Sequence, residues 1–440
     1  MRSFQAPTGT HDVLPPESGR WQVLVARFAT LVGRAGYGLA VSPLFEDADV
    51  FRRVGESTDV VRKEMYDFED KGGRTLALRP EGTASVVRAF VQHRPVLPWK
   101  VWYAAPSFRY ERPQAGRYRQ HHQLGLEVLG SDDPEVDVEI MALAWELYGD
   151  IGLGQVVLVL NSIGDAACRP AYLELLGAYL AQHDDELCRE HRHGARENPL
   201  RVLDCKRPDC RAATSAAPDI VDQLCDACAG HFARVQAGLN ALGIPFTLDA
   251  RLVRGLDYYT RTTFEFQAAA LETAQATVGA GGRYDGLVEA LGGPPTAGVG
   301  MGIGMERVLL ACDAEGTFPP PAAAVDVWIV DIAGGDATRQ LVWSLRRAGI
   351  GADRAFDDRS MRAQMKLADR SGARLALIVG AEEKASGTVS VRDLRANDDS
   401  QQVVARDHVV PLVQELLSVP STAIIRRGRT TYGDEPPWLR

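Results

Sequence analysis

Ser107-Phe108-Arg109-Tyr110-Glu111-Arg112-Pro113 runs through Gln114-Ala115-Gly116 into Arg117-Tyr118-Arg119-Gln120. The apolar runs Val101 to Ala105 and Leu124 to Leu129 flank it. The Pro/Gly-punctuated centre therefore predicts a turn joining two strands with arginines on both arms. An isolated arginine is usually a solvated surface residue. One facing into an apolar sheet must pair with an anion, either a carboxylate of the protein or a phosphate.

Outward from this hairpin, Trp21, Val25, Phe28 and Val32 recur at helical spacing after Pro15-Pro16, predicting an amphipathic helix over 17–35 that closes near Gly36 and Gly38. Strands are expected around Leu39 to Ser42, Thr75 to Arg79 and Val156 to Leu160, and a helix over 135–149. A mostly helical insert with a cysteine-bearing centre is expected at about 170–240. Strand signals return at Leu252-Val253, at Thr262 to Phe266 and in the alternating glycines from Gly298 to Gly304, before a helix from Met305 to Asp313. A first domain spanning 1–320 ends in a proline-rich linker. The alternating strand and helix pattern of 325–418 is a small α/β domain with a mixed sheet, and 419–440 is expected to be a mobile tail.

At 440 residues the chain is too long for a single small module. No apolar run approaches the roughly 18 residues that cross a bilayer, so no membrane segment is expected. The start has no apolar segment behind a basic one, and seven sparse, odd-numbered cysteines fit reduced thiols, so a cytoplasmic location is expected. With 49 Lys and Arg against 58 Asp and Glu, a globally basic nucleic-acid binder is excluded, whereas a local basic face is not.

The common nucleotide motifs are missing. There is no Gly-Lys dipeptide for a P-loop, and Gly298, Gly300, Gly302 and Gly304 do not fit G-x-G-x-x-G in any register. Taken alone, that glycine run reads best as tight sheet packing. Leu252-Val253-Arg254-Gly255-Leu256-Asp257-Tyr258-Tyr259 puts a charged fork, a permissive glycine and two phenols at a strand end, and Met305-Glu306-Arg307 opens a helix after the glycine strand. Singly, each reads as an ordinary ion pair or core aromatic. Their co-occurrence is the informative feature.

Taken in order, Gly9-Thr10-His11-Asp12, Arg79-Pro80-Glu81-Gly82-Thr83, the hairpin from Phe108 to Glu127, Arg254 to Tyr259, Gly281-Gly282-Arg283-Tyr284-Asp285 and Gly302 to Arg307 resemble the class II aminoacyl-tRNA synthetases, specifically the histidyl-tRNA synthetase family. The resemblance implies an α+β fold. Its parts would be a six-stranded antiparallel catalytic sheet flanked by helices, the helical insert and a C-terminal α/β anticodon-binding domain. It also implies a homodimer packed through the first helix and the strand near Pro43. The implied activity activates L-histidine with ATP and Mg²⁺ and transfers it to the terminal adenosine of tRNA(His).

By the same resemblance, Arg109 contacts the α-phosphate, Glu111 the adenine amino group and Arg307 the γ-phosphate, with Arg117 and Tyr118 also on the ATP side. Arg254 lies across the α-phosphate from Arg109 as the electrostatic catalyst. Glu81, Gly82, Thr83 and Gln123 surround the histidine amino group. Glu127, Tyr258 and Tyr259 surround the imidazole, and Gly281, Gly282 and Tyr284 form a loop closing over it. Mg²⁺ ligands are left unassigned.

Cys205, Cys210, Cys225 and Cys228, spaced C-x4-C-x14-C-x2-C, admit one structural zinc. Core packing as small hydrophobes is the preferred reading, and no metal ligand is assigned. Arg359, Arg362, Lys366 and Arg370 resemble a basic helix of the anticodon domain, from which no anticodon reader is named. Two rivals are weighed. One is a non-catalytic, synthetase-like regulatory subunit of an ATP phosphoribosyltransferase, which lacks the C-terminal domain and tends to lose the arginines. The other is a class II synthetase for another amino acid, against which Leu252 to Tyr259 argues.

Overall fold

Leu24, Phe28 and Val32, one helical turn apart, are almost fully buried and fix the inner face of the helix Glu17–Arg34, which stops at Gly36 with its φ of +84°. The computed structural model describes residues 4–418 apart from 56–57, 193–198, 204, 206, 254, 257, 272–275, 322–324, 335, 358 and 397–400. The expected tail at 419–440 lies outside the described residues. The chain divides into two units, Met1–Pro319 and Pro320–Arg440.

Among the described residues of the first unit, the strands are β1 (Gly38–Leu39), β2 (Phe45–Asp47), β3 (Tyr66–Glu69), β4 (Thr75–Leu78), β5 (Trp99–Phe108), β6 (Gln120–Leu129), β7 (Val156–Ser162), β8 (Phe246–Leu248), β9 (Thr260–Ala268), β10 (Thr277–Arg283) and β11 (Gly298–Gly304). Eight of them form one sheet in the order β1-β5-β6-β11-β10-β9-β7-β8, and β2-β4-β3 form a small second sheet. The six inner strands of the large sheet are antiparallel, and the edge strands β1 and β8 run parallel to their neighbours. The sheet is therefore mixed, with the implied six-stranded antiparallel body at its centre.

The arginine hairpin is β5 and β6, paired from Trp99↔Leu129 to Phe108↔Gln120. Along β6, Leu124, Leu126 and Val128 enter the main core beneath helices Glu17–Arg34 and Pro134–Asp150, and the odd-numbered residues take the opposite face. The expected strand at Leu252-Val253 does not form. The Leu252 carbonyl instead accepts a hydrogen bond from the Asn161 side chain at 3.0 Å, so no ladder is made there. The strand expected at 39–42 is cut to β1, just before Pro43. Helix Thr83–His93, buried nearly all round its first turns, was not expected.

The alternating glycines of β11 lie beside the odd-numbered side chains of β6, Gly300 opposite Glu127 and Gly302 opposite Gly125. A methyl group at Gly298 would meet the Tyr284 ring at 2.3 Å, and one at Gly300 would meet a Glu127 carboxylate oxygen at 1.7 Å. Packing thus explains the first half of the run, where side chains from neighbouring elements lie flat across bare backbone. Arg283, fully buried, pairs with Asp137 at 2.8 Å and donates to the Ser131 and Asp133 carbonyls, pinning the end of β10 to the start of helix Pro134–Asp150.

The second unit has β12 (Val327–Asp331), β13 (Ala352–Arg354), β14 (Leu375–Val379), β15 (Thr388–Asp393) and β16 (Gln401–Ala405) in the order β13-β12-β14-β15-β16. Its first three strands are parallel and β15 and β16 antiparallel, the mixed sheet expected from the alternating pattern. Helices Asp336–Arg347 and Val409–Ser418 contribute Leu341, Leu345 and Val413 to its core. A short helix, Ala381–Ser386, was not expected.

The glycines give a paired prediction. Gly300→Ala should lower stability by about 2 kcal/mol or more, because the Leu126 carbonyl at 2.7 Å as well as Glu127 blocks the new methyl. Gly302→Ala meets only the far end of Gln123 at 3.1 Å and should be tolerated. Thermal melts of the two variants compare them directly.

Candidate active site

The odd-numbered face of β6, the arginine hairpin, the start of helix Thr83–His93, the end of β11 and the side chains of Leu256, Tyr258 and Tyr259 enclose a cleft of about 210 Å³. Of the sequence-predicted residues, Glu81, Gly82, Thr83, Arg109, Gln123, Tyr258 and Tyr259 line it, as do Glu111, Arg117, Tyr118 and Arg307. Residues scattered over more than two hundred positions of sequence are thereby brought to one cavity. Arg254 lies outside the described residues.

Three guanidinium groups lie at one end of this cleft, with Glu111 and Glu306 beside them. Arg109 donates to the Pro80 carbonyl at 2.9 Å. Arg307 donates to the Gly116 carbonyl at 2.9 Å and the Thr277 carbonyl at 3.1 Å, which ties the helix Met305–Glu315 to the tip of the hairpin. Arg117 is paired with Glu111. Burial, and then the charges of Arg117 and Arg109, pull the Arg307 guanidinium below its ordinary value. The three cations therefore repel across one partly dry space, a cost that an arriving polyanion would reverse.

The opposite end holds two buried carboxyls. Glu81 accepts from the backbone N–H groups of Thr83 and Ala84 at 2.6 and 2.8 Å, capping the first turn of helix Thr83–His93. Burial nevertheless raises it above the usual carboxylate range. Glu127 is fully buried and accepts hydroxyl hydrogen bonds from Thr83 at 2.7 Å, Tyr103 at 3.3 Å and Tyr284 at 2.5 Å. Its burial outweighs those bonds and pushes it up to about 8. It reaches the cleft through the side chains of Thr83 and Tyr103, both of which line it.

Three further expectations differ from the structure. Gly281 and Gly282 belong to β10 and do not form a closing loop. Their bare backbone lets β9 and β11 lie close, since a methyl group would strike the Gly300 carbonyl at 2.2 Å or the Thr262 carbonyl at 2.6 Å. Tyr284 is buried behind the cleft, where its hydroxyl holds Glu127. Cys205, Cys210, Cys225 and Cys228 do not form one quartet: the first two group with Cys188 and His191, the last two with Asp165 and Cys168.

Tyr103, His121 and Glu306 also line the cleft and were not singled out for it. His121 shares strand parity with Gln123 and Glu127, so the period of two could have found it. Burial, then Arg109, Arg307 and His122, hold its imidazole well below the ordinary value, hence neutral. Tyr103 occupies the space left by Gly82 and Gly125, where a methyl group would overlap its ring at 2.3 and 2.0 Å. Glu306 accepts from the His122 backbone N–H at 2.9 Å and contacts its imidazole at 2.9 Å.

Comparison with known proteins bears on this constellation. The family model described as Histidyl-tRNA synthetase matches residues 9–308, and one described as Anticodon binding domain matches 326–416. The chain is 50% identical over 405 residues to a protein named Histidine–tRNA ligase from Moorella thermoacetica, covering 91% of this chain and 96% of that one. It is 48% identical over 423 residues to one of the same name from Rhodococcus erythropolis, covering 94% and 98%. Among solved structures, the apo histidyl-tRNA synthetase of S. aureus superposes with a TM-score of 0.78 at 35% identity, covering 94% of this chain and 100% of that one. A cleft with a cationic end and a buried-carboxyl end, carried on this sheet and matched over this length, shows that the chain belongs to the histidyl-tRNA synthetase family.

Proposed function

We propose that the chain is a histidine–tRNA ligase that joins L-histidine to ATP and then to the terminal adenosine of tRNA(His). The observation that carries this is the convergence of Arg109, Arg117 and Arg307 on one cleft, where their mutual repulsion favours a polyanion. In the first step a histidine carboxylate oxygen attacks the α-phosphorus, and pyrophosphate leaves as the histidyl-adenylate ester forms. Two anions at 4 Å repel by about 4 kcal/mol at an effective dielectric near 20, so fixed cations must offset the approach. Arg109 would hold the α-phosphate and Arg307 the γ-phosphate, with Arg254 as the electrostatic catalyst opposite Arg109. In the second step an adenosine hydroxyl attacks the carbonyl carbon, and AMP leaves.

Mg²⁺ suits this site as an ion carried in by the phosphates. The cleft-lining carboxyls Glu111 and Glu306 offer hard oxygen donors, but each already has a cationic or N–H partner, so the chain itself forms no closed cage. When bound, the ion would neutralise charge on phosphate oxygens. For the amino acid, the hydroxyls of Tyr258 and Tyr259, and Glu127 acting through Thr83 and Tyr103, would read the imidazole. Glu81 and Gln123 would face the amino group. A regulatory, non-catalytic role is disfavoured by the retained arginines and by the C-terminal domain. On that domain Arg362, Lys366 and Arg370 form an exposed i, i+4, i+8 stripe suited to RNA phosphates. A homodimer is supported by exposed Leu39, Val41, Leu44 and Phe45 just after the first helix.

Histidine-dependent exchange of pyrophosphate into ATP tests the assignment, which fails if another amino acid supports exchange and histidine does not. Arg254→Ala and Arg109→Ala should each lower the exchange rate about a hundredfold, on the order of 3 kcal/mol. Arg117→Ala, already paired with Glu111, should cost less.

Glu127 generates a pH prediction. A carboxyl held at about 8 takes up a proton on folding wherever the unfolded chain would be ionised. Its stabilisation is complete below the unfolded value and is lost as pH rises through about 8. Glu127→Gln should therefore flatten the fall in melting temperature between about pH 5 and pH 9. An unchanged slope would show that Glu127 is ionised throughout.

A further inference from the structure

The helical insert contains two compact sets of soft donors that the reaction does not use. In the first, Cys188 and His191 sit on one tight turn, where the backbone N–H groups of His191 and Arg192 both donate to the Cys188 carbonyl at 3.0 and 2.9 Å. Cys205 follows the short helix Pro199–Leu203, and Cys210 lies in the short helix Pro208–Ala213. The four donor atoms all lie within 4.8 Å of one another. His191 Nδ1 is 3.5 Å from Cys188 Sγ and 3.6 Å from Cys210 Sγ. A tetrahedral zinc with Zn–S of about 2.3 Å and Zn–N of about 2.0 Å separates sulfur from nitrogen by about 3.5 Å. The Cys188 backbone N–H points at Cys210 Sγ at 3.3 Å, a donor that stabilises a metal-bound thiolate.

We propose that this set binds a structural zinc ion in a Cys3His site formed by Cys188, His191, Cys205 and Cys210. The local architecture explains the need for it. Among the described residues between 184 and 224 the helices are three to six residues long, too short to be stable alone. The core of this segment includes Cys188 and Cys210 themselves, so the metal would fasten together elements whose own apolar surface is small.

A separate constellation carries a second site of the same class. Asp165 and Cys168 lie beyond the end of β7, and Cys225 and Cys228 flank the start of helix Asp226–Ala241, with donor atoms again within 4.8 Å. A zinc there would clamp both ends of the insert where it leaves and rejoins the catalytic sheet. Asp165 is also anchored by Arg261 of β9 at 3.5 Å.

The test is metal analysis of the full-length chain, expressed with zinc and purified under reductant without chelator. About two zinc ions per chain are expected, retained through gel filtration. Cys188→Ser should remove one and Cys225→Ser the other. Should either variant fail to fold, cobalt substitution of the wild-type protein is the second measurement, with tetrahedral thiolate-to-cobalt spectra expected. Zinc stripped by a weak chelator with no change in melting temperature, an adventitious ion only, would overturn both sites. So would a metal-free protein whose thiols all titrate in the native state, or one whose mass shows these cysteines paired as disulfides. One ion lost in Cys188→Ser and unaffected in Cys225→Ser would overturn the second site alone.

Discussion

The carboxyl of Glu127 is the group around which the catalytic unit is organised. It sits on β6, lies flat across Gly300 of β11, and accepts hydroxyls from the first residue of helix Thr83–His93, from β5 and from the residue after β10. Five elements therefore meet at two oxygen atoms. Leaving such a group unsatisfied in a dry interior costs several times what an exposed ion pair contributes, so the three hydroxyls and the bare glycine are mutually required. The Tyr103 ring fills space opened by Gly82 and Gly125 and brings its own hydroxyl to the same carboxyl. Position and chemistry are set together.

At the other end of the cleft the logic reverses. There three guanidinium groups lie within each other's field, beside an imidazole that burial, and then two of those groups, hold well below its ordinary value. Backbone carbonyls of Pro80, Gly116 and Thr277 accept from two of them and fix their orientation. Carbonyls orient a cation while leaving its charge available, whereas a carboxylate would have cancelled it. Arg283 shows the contrast. Buried against Asp137 and Asp285, it is fully compensated and works as a fastening between β10 and helix Pro134–Asp150.

Much of this was legible in the sequence. The order of motifs from Gly9 to Arg307 fixed the family, and the hairpin turn, the first helix and the alternating pattern of the second unit were readable because period and punctuation agree there. What escaped did so for physical reasons. Helix Thr83–His93 is 11 residues long and follows directly on Pro80 and Gly82, so its start reads as punctuation between strands. Gly281 and Gly282 looked like a loop because glycine is the loop residue, yet here it permits strands to approach. The spacing of Cys205, Cys210, Cys225 and Cys228 admits one quartet beside the preferred core-packing reading, but the spatial grouping depends on Cys168, Cys188 and His191, which linear intervals do not connect. His121 and Tyr103 needed strand parity and cross-strand register, which appear only once pairing is known.

The alternating glycines of β11 have a wider consequence. Where Gly302 and Gly304 border the cleft, the floor is main chain, and main chain reads the same whichever residues a lineage tries elsewhere. Behind that floor Gly300 is fixed, since any replacement strikes Glu127, whereas a methyl group at Gly302 meets only the far end of Gln123. The stretch of β11 behind the cleft is therefore a fixed mould, and divergence of preference is left to the residues that border the cleft itself.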